Sequence, residues 1–204
     1  IVRLLGETDM AKEPNTKLLL EKPFGIDLAS AQDLINQTKL HFQENQVYRI
    51  DHYLAKDMAQ NLIVFREGNA LFSHTWNKDF IERIDIVASE KIGIEGRAAF
   101  YEQTGALRDL VQSHLLQLAA LTLMHPSVTH DLRNICDCRV EALKQLHIPT
   151  DKPLEHYVKR GQYKGYRDEV KNQTSTVETY TDITLASTDP SWEGVPIRIV
   201  TGKA

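Results

Sequence analysis

Nowhere in the 204 residues do about 18 apolar side chains follow one another, so the sequence offers no helix of the kind that crosses a bilayer, and no membrane partner is expected. Basic residues are not in excess either: 24 Lys and Arg stand against 28 Asp and Glu, a formal net charge of −4. A duplex-binding surface neutralises phosphates with surplus positive charge, so no nucleic-acid partner is expected and any phosphate bound here is bound locally. The two cysteines, Cys136 and Cys138, are too close in sequence to staple a fold and lack further ligands at zinc spacing; they read as reduced thiols of a cytoplasmic protein, with no metal site. No Gly-x-Gly-x-x-Gly is present, and the nearest pair, Gly93 and Gly96 in Gly-Ile-Glu-Gly-Arg, departs from that pattern. A Walker loop, a His-Glu-x-x-His and a Gly-x-Ser-x-Gly elbow are missing as well, which leaves nucleotide-triphosphatase, metalloprotease and serine-hydrolase readings without their usual support.

What is present is an ordinary globular composition, 42% apolar and 25% charged with ten glycines, able to bury a core as one domain or as a domain and a fragment. The opening Ile1-Val-Arg-Leu-Leu-Gly6 has neither an initiating Met nor a signal-peptide pattern, and the close at Ala204 follows a strand-like run. An internal piece of a longer protein is expected.

Residues 17–21 form a short apolar run before Lys22-Pro23-Phe24-Gly25 and read as a buried strand entering a turn. Asp27 is a suitable N-cap for a helix whose Ala31, Leu34, Ile35, Thr38 and Phe42 share one face. Residues 46–50 predict a second strand, and 51–57 lie where it turns into a helix running through about Phe65. Strand ends and the helix N-termini that follow them are where α/β folds meet anions. Further on, 81–89 predict a strand and 102–124 the longest helix, its buried stripe being Leu107, Leu110, Val111, Leu115, Leu118 and Leu121 or Thr122. A helix over 132–146, a polar loop over 161–172 and strands over 176–186 and 196–201, separated by the turn Thr188-Asp-Pro-Ser191, complete the chain. The order is α/β first and mixed α+β afterwards, with a boundary near residue 48.

The densest ionisable cluster is Arg49, Asp51, His52, Tyr53, Lys56 and Asp57, with Lys22 after the earlier strand. A phosphomonoester needs converging cationic and hydroxyl donors, which His52, Tyr53 and Lys56 supply. On spacing alone such clusters are more often surface charge or structural ion pairs. His114 falls on the stripe of Leu107, Val111 and Leu118; it reads either as a satisfied core histidine or as a general base. Asp109 lies five residues earlier, about 140° around an ideal α-helix, and so is not expected to share its face. Asp51 is the better candidate to orient it.

Glu21-Lys-Pro-Phe-Gly25, Arg49-Ile-Asp-His-Tyr-Leu-Ala-Lys-Asp57 with Met58-Ala-Gln-Asn-Leu62, Glu95-Gly-Arg97, Leu107-Arg-Asp109, Gln112-Ser-His-Leu-Leu-Gln117, Trp192-Glu-Gly-Val-Pro196 and Gly202-Lys-Ala204 occur in the order found in glucose-6-phosphate dehydrogenases, which the chain resembles along essentially its whole length. Two positions depart from the family pattern: Ala55 stands for its usual Gly and Asp57 for its usual Glu. The resemblance implies the end of a Rossmann-like dinucleotide-binding domain over 1–48, followed over 49–204 by part of a mixed, largely antiparallel sheet domain packed with helices, for substrate and dimerisation. It implies oxidation of glucose 6-phosphate at C1 with hydride passing to NADP or NAD, whose main site would lie outside this chain. His52, Tyr53 and Lys56 would hold the phosphate, and His114 would take the C1 hydroxyl proton with Asp51 orienting it. Lys22 would sit between sugar and nicotinamide after a cis bond to Pro23, while Glu90, Asp109 and Lys203 would meet the sugar hydroxyls. A homodimer or homotetramer is expected of the full-length enzyme, and no turnover of the 204 residues alone. The competing expectation is a sugar-phosphate-binding paralogue that has lost catalysis.

Overall fold

The computed structural model describes residues 2–125 and 134–204, which fall into two compact units, 1–52 and 53–204. Among the described residues no helix is long and apolar enough to cross a membrane.

The first unit holds α1 (Val2–Gly6), β1 (Leu18–Glu21), α2 (Leu28–His41) and β2 (Val47–Ile50). Helix α2 begins where expected: the Asp27 carboxylate accepts the Ser30 N–H at 2.8 Å, and the Ser30 hydroxyl accepts the Asp27 N–H at 3.1 Å. Two donors orphaned by the helix start are thereby satisfied, a contribution of about 1 kcal/mol. Strands β1 and β2 pair in parallel, Leu18 beside Val47 through to Glu21 beside Ile50. Thr38, Phe42, Val47, Val2 and Ala11 are buried, with Leu18, Leu20 and Leu34 packed against that core. The expected buried strand and helix stripe are each only half right, because Leu19 is 63% and Ile35 40% exposed. Alternate strand residues point to opposite faces, so Leu18 and Leu20 turn inward and Leu19 cannot.

The second unit runs α3 (Asp57–Glu67), α4 (Ala70–Thr75), β3 (Ile84–Glu90) and α5 (Ala98–Ala106), then a π-helical segment (Leu107–Leu115) leading into α6 (Leu116–Leu123). After these come α7 (Ile135–Lys144), β4 (Leu146–His147), α8 (Leu154–Tyr157), β5 (Val158–Gly161), α9 (Tyr166–Glu169), β6 (Tyr180–Ser187) and β7 (Ile197–Lys203). The sheet order is β3-β7-β6-β4, with β5 also on β6; only β3 and β7 are parallel. Leu110, Val111, Leu115, Leu118, Leu121 and Leu123 pack with Ile183, Leu185, Trp192, Ile197 and Ile199 in one core. Each fully buried Leu or Ile contributes about 1.5–3 kcal/mol relative to an exposed one.

Three expectations are corrected here. The single helix over 102–124 is three pieces: Gly105 has φ 60° and ψ −179°, outside helical space, and residues 107–115 then wind with the wider i→i+5 pattern. Leu107, expected in the buried stripe, is 38% exposed. The loop over 161–172 is not merely polar, since it contains α9 and the fully buried Tyr166, which joins Ile94 and Tyr101 in a separate core. The helix expected over 132–146 is described as Ile135–Lys144; Leu132 and Arg133 lie outside the described residues.

Glu102 ties that loop down, accepting from Tyr166 Oη at 2.6 Å, Ser175 Oγ at 2.6 Å and Asn172 Nδ2 at 2.8 Å. Burial pushes its carboxyl up, but the bonds from Ser175, Tyr166 and Asn172 outweigh burial and hold it below the ordinary 4.5. A carboxyl depressed on folding adds stability that is present above the unfolded pKa and lost as pH falls through the folded one. Amide protection factors over residues 163–177, exchange rates corrected for the intrinsic pH dependence of exchange, should therefore fall as pH drops below the ordinary carboxyl range, and more steeply than in Glu102→Gln. Equal pH profiles for the two proteins would exclude Glu102 as the titrating group.

Candidate active site

Strands β1 and β2 end side by side, so Lys22 and Asp51, with His52 next in chain, follow the carboxyl ends of two adjacent parallel strands. Open α/β sheets bind ligands at those ends. The Lys22–Pro23 peptide bond is cis, and Gly25 (φ 94°) lets the chain turn tightly into α2; a Cβ there would come within 2.6 Å of the Ala31 nitrogen. Arg49 is engaged elsewhere, forming an ion pair with Glu44 at 2.5 Å.

In the second unit the turn before α3 carries Tyr53 and Lys56, with the Lys56 N–H donating to the Tyr53 carbonyl at 3.2 Å. The Tyr53 ring stacks on the His114 imidazole, centroids 4.4 Å apart and planes 18° from parallel. Lys56 Nζ lies 3.9 Å from the centroid of the same Tyr53 ring, within cation–π range. His114 itself is 1% exposed. The Tyr53 ring is thus in contact with both a buried imidazole and an exposed ammonium.

The π-helical segment changes the relation of Asp109 to His114. In an α-helix five residues put them on different faces, but i→i+5 winding sets residue i+5 over residue i, so both project to one side. Ser113 Oγ bonds to the Asp109 carbonyl within this segment.

Glu90 and Lys203 are neighbours across the parallel β3–β7 register and form an ion pair, with Lys203 buried. Lys203 Nζ is 5.8 Å from the centroid of the Tyr101 ring. Burial, followed by the charges of Asp109, Glu178 and Glu90, pushes the Tyr101 phenol well up, so it stays protonated throughout the neutral range. Asp109 therefore lies in the electrostatic neighbourhood of Glu90 and Lys203 and shares a helical segment with His114. Sequence reasoning missed Tyr101; it has no periodic or motif signal of its own. Its place comes from α5 packing against the fold of Tyr166, with the two rings 6.1 Å apart.

Residues 63–204 match the family model described as glucose-6-phosphate dehydrogenase, C-terminal domain, and residues 1–61 match that described as glucose-6-phosphate dehydrogenase, NAD binding domain. The chain belongs to the glucose-6-phosphate dehydrogenase family. A glucose-6-phosphate 1-dehydrogenase of Borreliella burgdorferi is 38% identical over 199 residues, covering 92% of this chain and 42% of the relative. The crystal structure of a Mycobacterium avium glucose-6-phosphate 1-dehydrogenase superposes with a TM-score of 0.87 at 35% identity, over 100% of this chain and 44% of that one. A solved glucose-6-phosphate dehydrogenase in complex with its substrate glucose-6-phosphate gives 0.84 at 34% identity, over 92% of this chain and 40% of that one. The chain thus spans about two fifths of the length of the glucose-6-phosphate dehydrogenases it matches. The α/β and mixed-sheet fold is that of this family.

Proposed function

We propose that the complete protein carrying this chain oxidises glucose 6-phosphate at C1 to 6-phosphogluconolactone, the first step of the oxidative pentose phosphate pathway. The observation that carries this reading is the Lys56–Tyr53–His114 cluster: an exposed ammonium and a buried imidazole against one aromatic ring. Family membership supports it, as does the similar glucose-6-phosphate dehydrogenase solved in complex with its substrate glucose-6-phosphate.

In this reading His114 takes the C1 hydroxyl proton, and Asp51, two residues before Tyr53, orients the imidazole. Lys56, Tyr53 and His52 hold the phosphate, so that binding energy from the unreactive end of the sugar is used to orient the reacting end. Glu90, Asp109 and Lys203 take the sugar hydroxyls, and the Glu90–Lys203 pair keeps the Lys203 ammonium and the carboxylate in fixed positions before substrate arrives. Lys22, at the carboxyl end of β1, polarises the reacting oxygen.

The nicotinamide cofactor, NADP or NAD, supplies the hydride acceptor when bound. The chain has no Gly-rich pyrophosphate turn; what it offers the group is the carboxyl edge of β1 and β2 with Lys22, which suits the nicotinamide end alone. We assign residues 1–48 to the end of the dinucleotide-binding domain and 49–204 to part of the substrate and dimerisation domain, in a homodimer or homotetramer. The free thiols Cys136 and Cys138 accord with a cytoplasmic location.

Lys56→Gln in the complete protein tests the phosphate role. Losing one charge-assisted contact of about 1.5–3 kcal/mol should raise the KM for glucose 6-phosphate roughly 10- to 100-fold with kcat little changed. An unchanged KM, measured by nicotinamide reduction over a sugar-phosphate titration, would exclude Lys56 as a phosphate ligand.

A further inference from the structure

The last turn of α6 is held in an unusual way. Helix ends leave four carbonyls without main-chain donors, and here side chains from three places in the fold reach them. Arg66 donates to the carbonyls of Leu121 at 2.6 Å and Met124 at 2.7 Å. Trp76 Nε1 donates to Thr122 at 2.8 Å and Trp192 Nε1 to Leu123 at 2.8 Å. Arg66 is buried, and its guanidinium lies 5.2 Å from the Trp76 ring centroid, so the two donors also hold each other. A cation is electrostatically favoured at that end of a helix, where the dipole is negative.

The placement of Arg66 in sequence gives this clamp a functional meaning. Arg66 is in the last turn of α3, whose N-cap is Lys56. Met124 is the C-cap of α6, which continues directly from the π-helical segment bearing His114. As many residues separate Lys56 from Arg66 as separate His114 from Met124. The two helical stretches thus run between two cross-links, Tyr53 against His114 at one end and Arg66 against Leu121 and Met124 at the other. A helix is stiff along its axis, at about 1.5 Å per residue, so pinning the far ends fixes the near ends relative to one another.

We propose that Arg66 is a positioning residue: by locking α3 to the end of α6 it sets the span between Lys56, which holds the phosphate, and His114, which takes the proton. The inference rests on the functional reading above. Only a substrate that occupies both ends of the span gains from a fixed distance. A sugar without phosphate has no group to place at the Lys56 end and should be indifferent to a slide of α3.

The test compares kcat/KM for glucose 6-phosphate with kcat/KM for glucose, in the complete protein and in Arg66→Lys, which keeps the charge but cannot span two carbonyls with a planar fork. The ratio of the two constants does not depend on the fraction of active protein, so general loss of folding cancels. Arg66→Lys should lower the ratio about tenfold, through the phosphorylated sugar only. Trp76→Phe, which removes the donor to Thr122 and leaves an aromatic face for Arg66, should lower it about threefold, and it carries the test if Arg66→Lys does not fold. Equal losses for both sugars, or no loss in either, would overturn the positioning role while leaving the functional reading intact. An unsubstituted protein that did not prefer glucose 6-phosphate to glucose would overturn both.

Discussion

His114→Asn in the complete protein is expected to lower kcat for glucose 6-phosphate oxidation by about 10²- to 10⁴-fold, the usual loss when a positioned general base is removed. KM should change little, because the groups assigned to the phosphate, His52, Tyr53 and Lys56, remain. Asparagine is the informative replacement. At 1% exposure a truncation to alanine would leave a hole beneath the Tyr53 ring and mix a packing defect with a chemical one. The planar amide keeps most of the volume and part of the stack, yet cannot accept a proton near neutral pH. Equal falls in kcat and kcat/KM would mark an interaction made only in the transition state. Turnover within a few-fold of the unsubstituted protein would remove His114 as the base and return it to the alternative that its place on an apolar stripe allowed, a satisfied core histidine.

The second large effect concerns the hinge in front of that residue. Gly105 has φ 60° and ψ −179°, conformational space that essentially only glycine occupies. A Cβ there would also come within 2.4 Å of Glu178 Oε1. The Glu178 carboxylate cannot simply withdraw, because it accepts the Leu107 N–H at 3.0 Å while the Glu178 carbonyl accepts the Ala106 N–H at 2.9 Å. These bonds satisfy donors at the start of the π-helical segment. Gly105→Ala should cost about 1–3 kcal/mol of backbone strain and about 1–3 kcal/mol for a displaced hydrogen bond. A fall in melting temperature of roughly 10 °C follows for a chain of this size. Gly96→Ala is the control: φ is 78° but nothing lies within 4 Å of the added methyl, so only strain is introduced. If both variants melted alike, the contact with Glu178 would have no part in holding Gly105.

The sequence made some of this plain and hid the rest for identifiable reasons. The Asp27 cap, the two parallel strands and the burial of His114 follow from local chemistry and periodicity, and each has a direct physical signal. The π-helical winding has none of that kind. Leu110, Val111, Leu115 and Leu118 satisfy an α-helical stripe as readily as a π one, and the insertion that separates them is a matter of hydrogen bonding rather than composition. Gly105 inside an otherwise helical pattern was the available warning. The winding matters, since ideal α geometry would separate Asp109 from His114 and the i→i+5 pattern brings them to one side. Arg66 and the two tryptophans were invisible as helix caps because their partners are main-chain carbonyls 46 to 69 residues away. The candidate site residues were singled out less by spacing than by common register with a known family. Neither β4 nor β5, of two and four residues, is long enough to display alternation.

The parallel pairing of β3 with β7 also bears on how the molecule is assembled. It joins Glu90 to Lys203 across 113 residues, while β7 finds its other neighbour, β6, through a short local connection. Long-range parallel contacts form slowly, because chain entropy must be lost before the contact is gained. During synthesis β3 must wait, with Val87 and its neighbours unpaired, until β7 has been made. The ammonium and carboxylate proposed to receive the sugar therefore come together only when this folding step is complete.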